Sequence, residues 1–211
     1  MIVLADNDIL IKLAGCNLLD EFLDLLQTNT DNIFITTSAK FSISSQIKKI
    51  QDEELKLKIT QFVGALQTLP AVDNDLLAQI QTFDDINGGE AYLMLAMHHY
   101  PNANFITGDK RCLKALIGNK DQVTLNDIFK LLENKVYCLE SALLALIEIH
   151  SFDYINNKVS NRHISKVTDD GVLRLAFGKN KSQDNCIECL SSYCRDVISI
   201  LTKVNLYKEQ V

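Results

Sequence analysis

The chain of 211 residues has no Trp, only two Pro and only eight Gly. So little Pro and Gly excludes collagen-like repetition and flexible low-complexity chain, and leaves long stretches free to form regular structure. No apolar run approaches the roughly 20 residues that a membrane span needs. The longest one after the N-terminus, Ala142 to Ile149, contains Glu148. Positive charge is also short, since 21 Lys and Arg against 27 Asp and Glu leave a formal net charge of −6. The whole-chain field therefore repels phosphate, and a nucleic-acid partner must be held by a local basic patch or by bound cations. The deficit lies early: residues 1–120 carry ten Lys and Arg against fifteen Asp and Glu.

What is present is a globular composition, 47% apolar and 23% charged. A chain this long buries roughly 70% of its unfolded surface, which suits one large domain or one domain with a sizeable extension. Met1 to Ala5 is apolar, but Asp6 interrupts it, so a buried strand is expected there rather than a signal peptide. The cysteines, Cys16, Cys112, Cys138, Cys186, Cys189 and Cys194, read as reduced thiols rather than a disulfide framework, and a cytoplasmic address is the expectation.

Along the chain, apolar residues alternate between strand-like and helical spacing. Residues 1–6 form a strand that turns at Asp6 and Asp8 into a helix carrying Ile9, Leu10, Leu13 and Ala14. Asn32 to Thr36 is a second strand, and the Ile43, Ile47, Leu55 and Ile59 spacing predicts a helical hairpin that ends at Leu69-Pro70. Gly88-Gly89 precedes a helix with Glu90 in its first turn. Asn104 to Thr107 is a third strand, Gly108-Asp109 ends it, and a helix runs from Lys110 to Ile117. Val123-Thr124-Leu125 is expected as a fourth strand. This alternation predicts an α/β fold with a mostly parallel sheet and helices on both faces. Beyond about residue 132 the strand signal fades, and residues 1–130 are expected as the α/β domain and 131–211 as a helical extension. Helices are expected over Val136–His150 and Ile187–Val204.

Ligands of such sheets gather beyond the carboxyl ends of the strands. Asp6 and Asp109 end two strands and Glu90 opens a helix, so the topology can bring three carboxylates to one edge. Crowded carboxylates need a proton or a divalent cation, and all-oxygen donors point to Mg²⁺ or Mn²⁺. Such a cation offsets charge on a phosphodiester and lowers the pKa of a bound water, which fits phosphodiester hydrolysis.

Three stretches carry a family resemblance: Ile2-Val3-Leu4-Ala5-Asp6-Asn7-Asp8-Ile9-Leu10-Ile11, Gly89-Glu90-Ala91 leading into a helix with Ala96, and Phe105-Ile106-Thr107-Gly108-Asp109-Lys110. In order and separation residues 1–125 resemble the PIN domain, a family of metal-dependent ribonucleases common as the toxins of bacterial toxin–antitoxin pairs. The resemblance implies a three-layer α/β/α fold with Asp6, Glu90 and Asp109 as catalytic metal ligands. It places Asp8 beside the first acid, as a support and further metal contact. Where the family carries a second acid, this chain reads Thr36-Thr37-Ser38-Ala39-Lys40-Phe41-Ser42-Ile43, with no carboxylate and with Lys40 near the expected place. A non-cutting PIN-like domain that binds RNA or protein is therefore the alternative. Asp6-Asn7-Asp8 is also similar to the Asp-x-Asp of haloacid-dehalogenase-type phosphatases, but Leu10 departs from that pattern and Glu90 has no role in it.

Lys12, Lys110, Arg111 and Lys114 follow the acids and are candidates to contact RNA phosphates. The expected partners are RNA, an antitoxin protein and a second copy of the chain, with no membrane. Cys186 and Cys189 share one helical face and read as apolar packing rather than half of a zinc site.

Overall fold

The computed structural model describes residues 1–207. Val3–Ala5 forms β1, and the chain turns at Asp6 into α1 (Asn7–Gly15), whose Ile9, Leu10, Leu13 and Ala14 are buried as their spacing requires. Then come α2 (Leu19–Leu25), β2 (Ile33–Ile35), the hairpin of α3 (Thr37–Ile47) and α4 (Glu53–Ala65), β3 (Gln67–Thr68) and α5 (Asn74–Ile80). They are followed by α6 (Gly88–Ala96), β4 (Asn104–Ile106), α7 (Lys110–Gly118), α8 (Val123–Leu132) and β5 (Val136–Tyr137). The helices α9 (Leu139–His150), α10 (Phe152–Ser160), α11 (Gly171–Ala176) and α12 (Gln183–Cys194) follow, and 3₁₀ turns lie at Thr30–Asn32 and Arg195–Val197.

The strands pair in the order β3-β2-β1-β4-β5, and all pairs are parallel. From β1 the chain steps outward to β2 and β3, then returns across β1 to β4 and β5. Parallel crossovers are right-handed in nearly all proteins, so this reversal sends the two sets of helices to opposite faces. Packing agrees, since α1 contacts α2, α3 and α4, whereas α5 contacts α6 and α8, and α7 contacts α8. The fold is thus α/β with an all-parallel sheet, compatible with three layers. The reversal falls between β1 and β4, where Val3, Leu4 and Ala5 lie opposite Asn104, Phe105 and Ile106. The Asp6 amide donates to the Ile106 carbonyl at 2.8 Å. A crevice beyond two such strand ends is where parallel sheets take ligands.

The expected strand at Val123-Thr124-Leu125 is instead the start of α8. Val123 is 91% exposed while Leu125, Ile128 and Leu132 are buried, a helical period that overrides the β-branched pair at its start. The sheet's outer strand is Val136–Tyr137, expected as the beginning of a helix. Both residues are buried, and α9 starts only after Cys138, whose amide donates to Ser141 Oγ at 2.9 Å. The helix expected to reach Val204 stops at Cys194, and Leu201 then forms a parallel bridge with Val136.

Residues beyond 130 thus contribute a strand and a bridge to the sheet, and one cluster of buried apolar side chains runs from Val3 to Val204. α9 packs on α2, α10 and α12, and the Arg195–Val197 turn packs on α7. Close approach is needed at Gly15, where a Cβ would lie 2.7 Å from Thr168 Cβ. Thr168 is fully buried and its hydroxyl donates to the His163 carbonyl at 2.5 Å, so it has little room to move. Gly15→Ala is therefore expected to cost about 1–3 kcal/mol by overpacking. Urea denaturation reads this as a lower midpoint; an unchanged midpoint means that the 163–168 loop yields freely.

Candidate active site

Three turns deliver the acids. Asp6 stands between β1 and α1. Asn87 caps α6 by accepting from the amides of Gly89 at 2.9 Å and Glu90 at 3.4 Å, which sets Glu90 in the first turn. Asp109 caps α7 by accepting from the amides of Arg111 at 2.9 Å and Cys112 at 3.4 Å, and its own amide donates to the buried Thr107 hydroxyl at 3.0 Å.

Asp6, Asp8, Glu90 and Asp109 line one open cavity of about 440 Å³ together with Gly108, Lys110 and Arg111. Asp6 and Glu90 also border a second cavity of about 290 Å³, whose other polar groups are Asn7, Thr36, Ser38, Ser42 and Asn87. The two carboxylates stand where a charged lobe meets a neutral one.

Glu90 is buried, and its Oε2 has no hydrogen-bond partner. Burial raises its carboxyl from 4.5 to about 7, with the charges of Asp6 and Asp109 adding to the rise. Burial also lifts Asp6 from 3.8 to about 6, helped by Asp8 and opposed by the amides of Asn7, Gly108 and Asp8. An orphan carboxylate oxygen in such a setting is costly until a proton or a cation meets it.

The other two acids have partners. Asp8 pairs with Lys12 at 2.6 Å, and Lys12 reaches Asp170 at 2.7 Å. Gly108 leaves room for Asp8, since a Cβ there would lie 2.7 Å from Asp8 Oδ2. Asp109 accepts from Arg111 Nε at 3.4 Å and Nη2 at 3.2 Å. Among the described residues no three His, Cys, Asp or Glu are placed to hold a metal ion together. The donor chemistry nonetheless fits Mg²⁺ or Mn²⁺. Mg²⁺ commonly takes one or two carboxylates and fills the rest of its shell with water and substrate phosphate, and Glu90 Oε2 lacks any other partner.

Lys40 lines neither cavity, and its ammonium donates to the Leu66 carbonyl at 2.8 Å. Neutral groups face the acids instead. Thr36 Oγ1 caps α3 through the Ala39 amide at 3.1 Å and lies 3.0 Å from Ser38 Oγ, while Asn7 Nδ2 donates to Ser42 Oγ at 3.5 Å. A search of the sequence for charge passes over these groups; the run of Ser and Thr after β2 is their signal.

The four expected RNA contacts divide. Lys110 and Arg111 border the charged cavity, whereas Lys12 and Lys114 do not. Lys110 pairs with the buried Glu140 of α9 and lies 4.7 Å from the Tyr193 ring centroid. Lys114 pairs with Asp196 at 2.5 Å. Arg111 is 76% exposed, so its hold on Asp109 is solvent-screened and exchangeable.

A separate cavity of about 310 Å³ lies at the far end of α1, beside Gly15 and Cys16. Its cationic side chains Lys58, Lys158 and Arg162 face Asp20, Glu21 and Asp169 respectively, and His163 Nδ1 lies 2.8 Å from Asp52, so it presents no excess positive charge. None of the six cysteines is in a disulfide, and burial raises the Cys186 thiol to about 12. Among the described residues no helix is long and apolar enough to cross a membrane. Compared with known proteins, the chain matches no family model, no curated protein and no solved structure.

Proposed function

We propose that the chain is a PIN-like, Mg²⁺- or Mn²⁺-dependent ribonuclease in which Asp6, Glu90 and Asp109 hold the cation and Asp8 supports Asp6. The observation that carries this reading is the buried, unpartnered Oε2 of Glu90 beside Asp6, at the point where the sheet reverses direction. A bound divalent cation supplies charge stabilisation for the phosphodiester and a water of lowered pKa. The chain's own part is positional. Asp6 and Glu90 fix the seat, and Arg111 releases Asp109 as it turns to a substrate phosphate oxygen, which its exposure permits. A cytoplasmic setting, and the role of toxin paired with an antitoxin, belong to the same proposal.

An assay on single-stranded RNA with Mn²⁺ tests it. Wild type is expected to cleave, EDTA to stop cleavage, and Asp6→Asn to slow it by at least about 100-fold, since second-shell losses alone cost 10–100-fold. No cleavage, or cleavage that survives Asp6→Asn, overturns the proposal. The second reading, a PIN-like domain that binds without cutting, is favoured by the pairing of Asp8 and Asp109 with cations and by the neutral segment after β2. Calorimetric titration with Mn²⁺ separates the two, because tight, Asp6-dependent binding counts against it.

A further inference from the structure

We infer that the neutral lobe is a sugar subsite, in which Asn7, Ser38 and Ser42 hydrogen-bond the hydroxyls of a ribose whose phosphate lies in the charged lobe. This inference rests on the ribonuclease reading and deepens it by naming what selects RNA over DNA.

The two lobes share Asp6 and Glu90 and differ in everything else polar. Lys110 and Arg111 border one, whereas no cationic side chain lines the other. A phosphate in the neutral lobe would meet no cationic side chain, whereas in the other lobe Lys110 and Arg111 stand ready to pair with it. An uncharged, hydroxyl-rich group needs no such partner.

The lining groups are of two kinds. Thr36 Oγ1 and Asn87 Oδ1 are committed to the caps of α3 and α6. The side chains of Ser38 and Ser42, on the exposed face of α3, and of Asn7 cap no helix: the Asn7–Ser42 contact is long at 3.5 Å, Ser42 Oγ accepts from Gln46 Nε2 at 3.2 Å but keeps its own proton to donate, and Ser38 has one hydroxyl neighbour at 3.0 Å. Serine hydroxyls and the asparagine amide both donate and accept, and so does a ribose 2′-hydroxyl. Ala5, Ala39 and Leu93 supply apolar surface for the face of a sugar ring. The volume, about 290 Å³, is near the lower end for small-ligand cavities and suits one nucleoside rather than a duplex.

The test is an NMR titration of the full chain in Mg²⁺ with adenosine 5′-monophosphate and with its 2′-deoxy form, neither of which contains a diester to cleave. The amides of Asn7, Ser38 and Ser42 are expected to move, and the ribonucleotide to bind about tenfold more tightly, the worth of one or two net hydrogen bonds in a solvent-open site. Ser38→Ala combined with Ser42→Ala is expected to bring the ribonucleotide down to the affinity of the deoxy form. Exposed positions of this kind change stability by about 0.5 kcal/mol or less, and a melting curve confirms that the variant folds.

Equal affinities in wild type, shifts confined to other residues, no binding of either nucleotide, or a ratio that survives the double variant each overturn the subsite. A preserved ratio in a chain that does not cleave RNA keeps the subsite and removes the ribonuclease; cleavage with a ratio of one does the reverse.

Discussion

Glu90→Gln is expected to melt higher than wild type in metal-free buffer at about pH 8, and to lose both its response to Mn²⁺ and RNA cleavage. The native carboxyl titrates at about 7 against 4.5 ordinarily, so between those values the folded chain holds a proton that the unfolded chain has released. Stability from this group is therefore fully present below its ordinary pKa and is lost as pH rises through about 7. Asp6 acts in the same direction between 3.8 and about 6. Above both values the metal-free chain carries the charge of buried Glu90 beside that of half-buried Asp6, which together cost on the order of a few kcal/mol. Replacing Glu90 by its neutral isostere recovers about 2 kcal/mol of this, or about 4–8 °C in a chain of this length.

Mn²⁺ acts oppositely. On the proposed reading it binds the charged acids of the folded state, so it is expected to raise the melting temperature of wild type at about pH 8 and much less at about pH 5, where protons compete for the same oxygens. Melting curves of both proteins, with and without Mn²⁺ at both pH values, check the set. A variant that melts lower than wild type at the higher pH, or an equal gain from Mn²⁺ in both proteins, removes Glu90 from the cation seat. Cleavage is expected to fall by at least about 100-fold, more than a supporting residue costs.

Lys110→Met is expected to destabilise the chain by about 3 kcal/mol, because it leaves the Glu140 carboxylate buried and unpaired. Glu140 is 4% exposed, and the Lys110 ammonium also gives up its position near the Tyr193 ring. In melting temperature the loss is about 6–12 °C. Adding Glu140→Leu to Lys110→Met is expected to restore most of it, since an apolar pair often replaces a buried ion pair without loss. A double-mutant cycle by urea denaturation measures this directly. If Lys110→Met keeps its stability and instead binds RNA more weakly, the lysine serves phosphate after all.

Both variants bear on what the sequence reveals. The alternation of strand and helix, the turn at Asp6, the Gly-Gly entry to Glu90 and the cap at Asp109 are local signals, and local geometry alone positions them. Which cation faces which acid is not local. Lys12 and Asp8 are one helical turn apart, yet Asp170, which also holds Lys12, lies far along the chain. Lys110 is drawn to Glu140 by α9 packing that no short motif encodes. β3 and β5 each have two residues, too few for any period, and only neighbours in space make them strands. Val123 misleads because its β-branched side chain is solvent-facing on a helix whose buried stripe begins two residues later.

Those two short outer strands also limit how the chain can associate. One border of the sheet offers only Gln67 and Thr68, and at the other Leu201 already lies against Val136. A row of free backbone groups long enough to template another polypeptide is missing at both margins among the described residues, which guards against fibril-like growth. A protein partner under the proposed function would then have to grip helix surfaces through side chains rather than add a strand to the sheet.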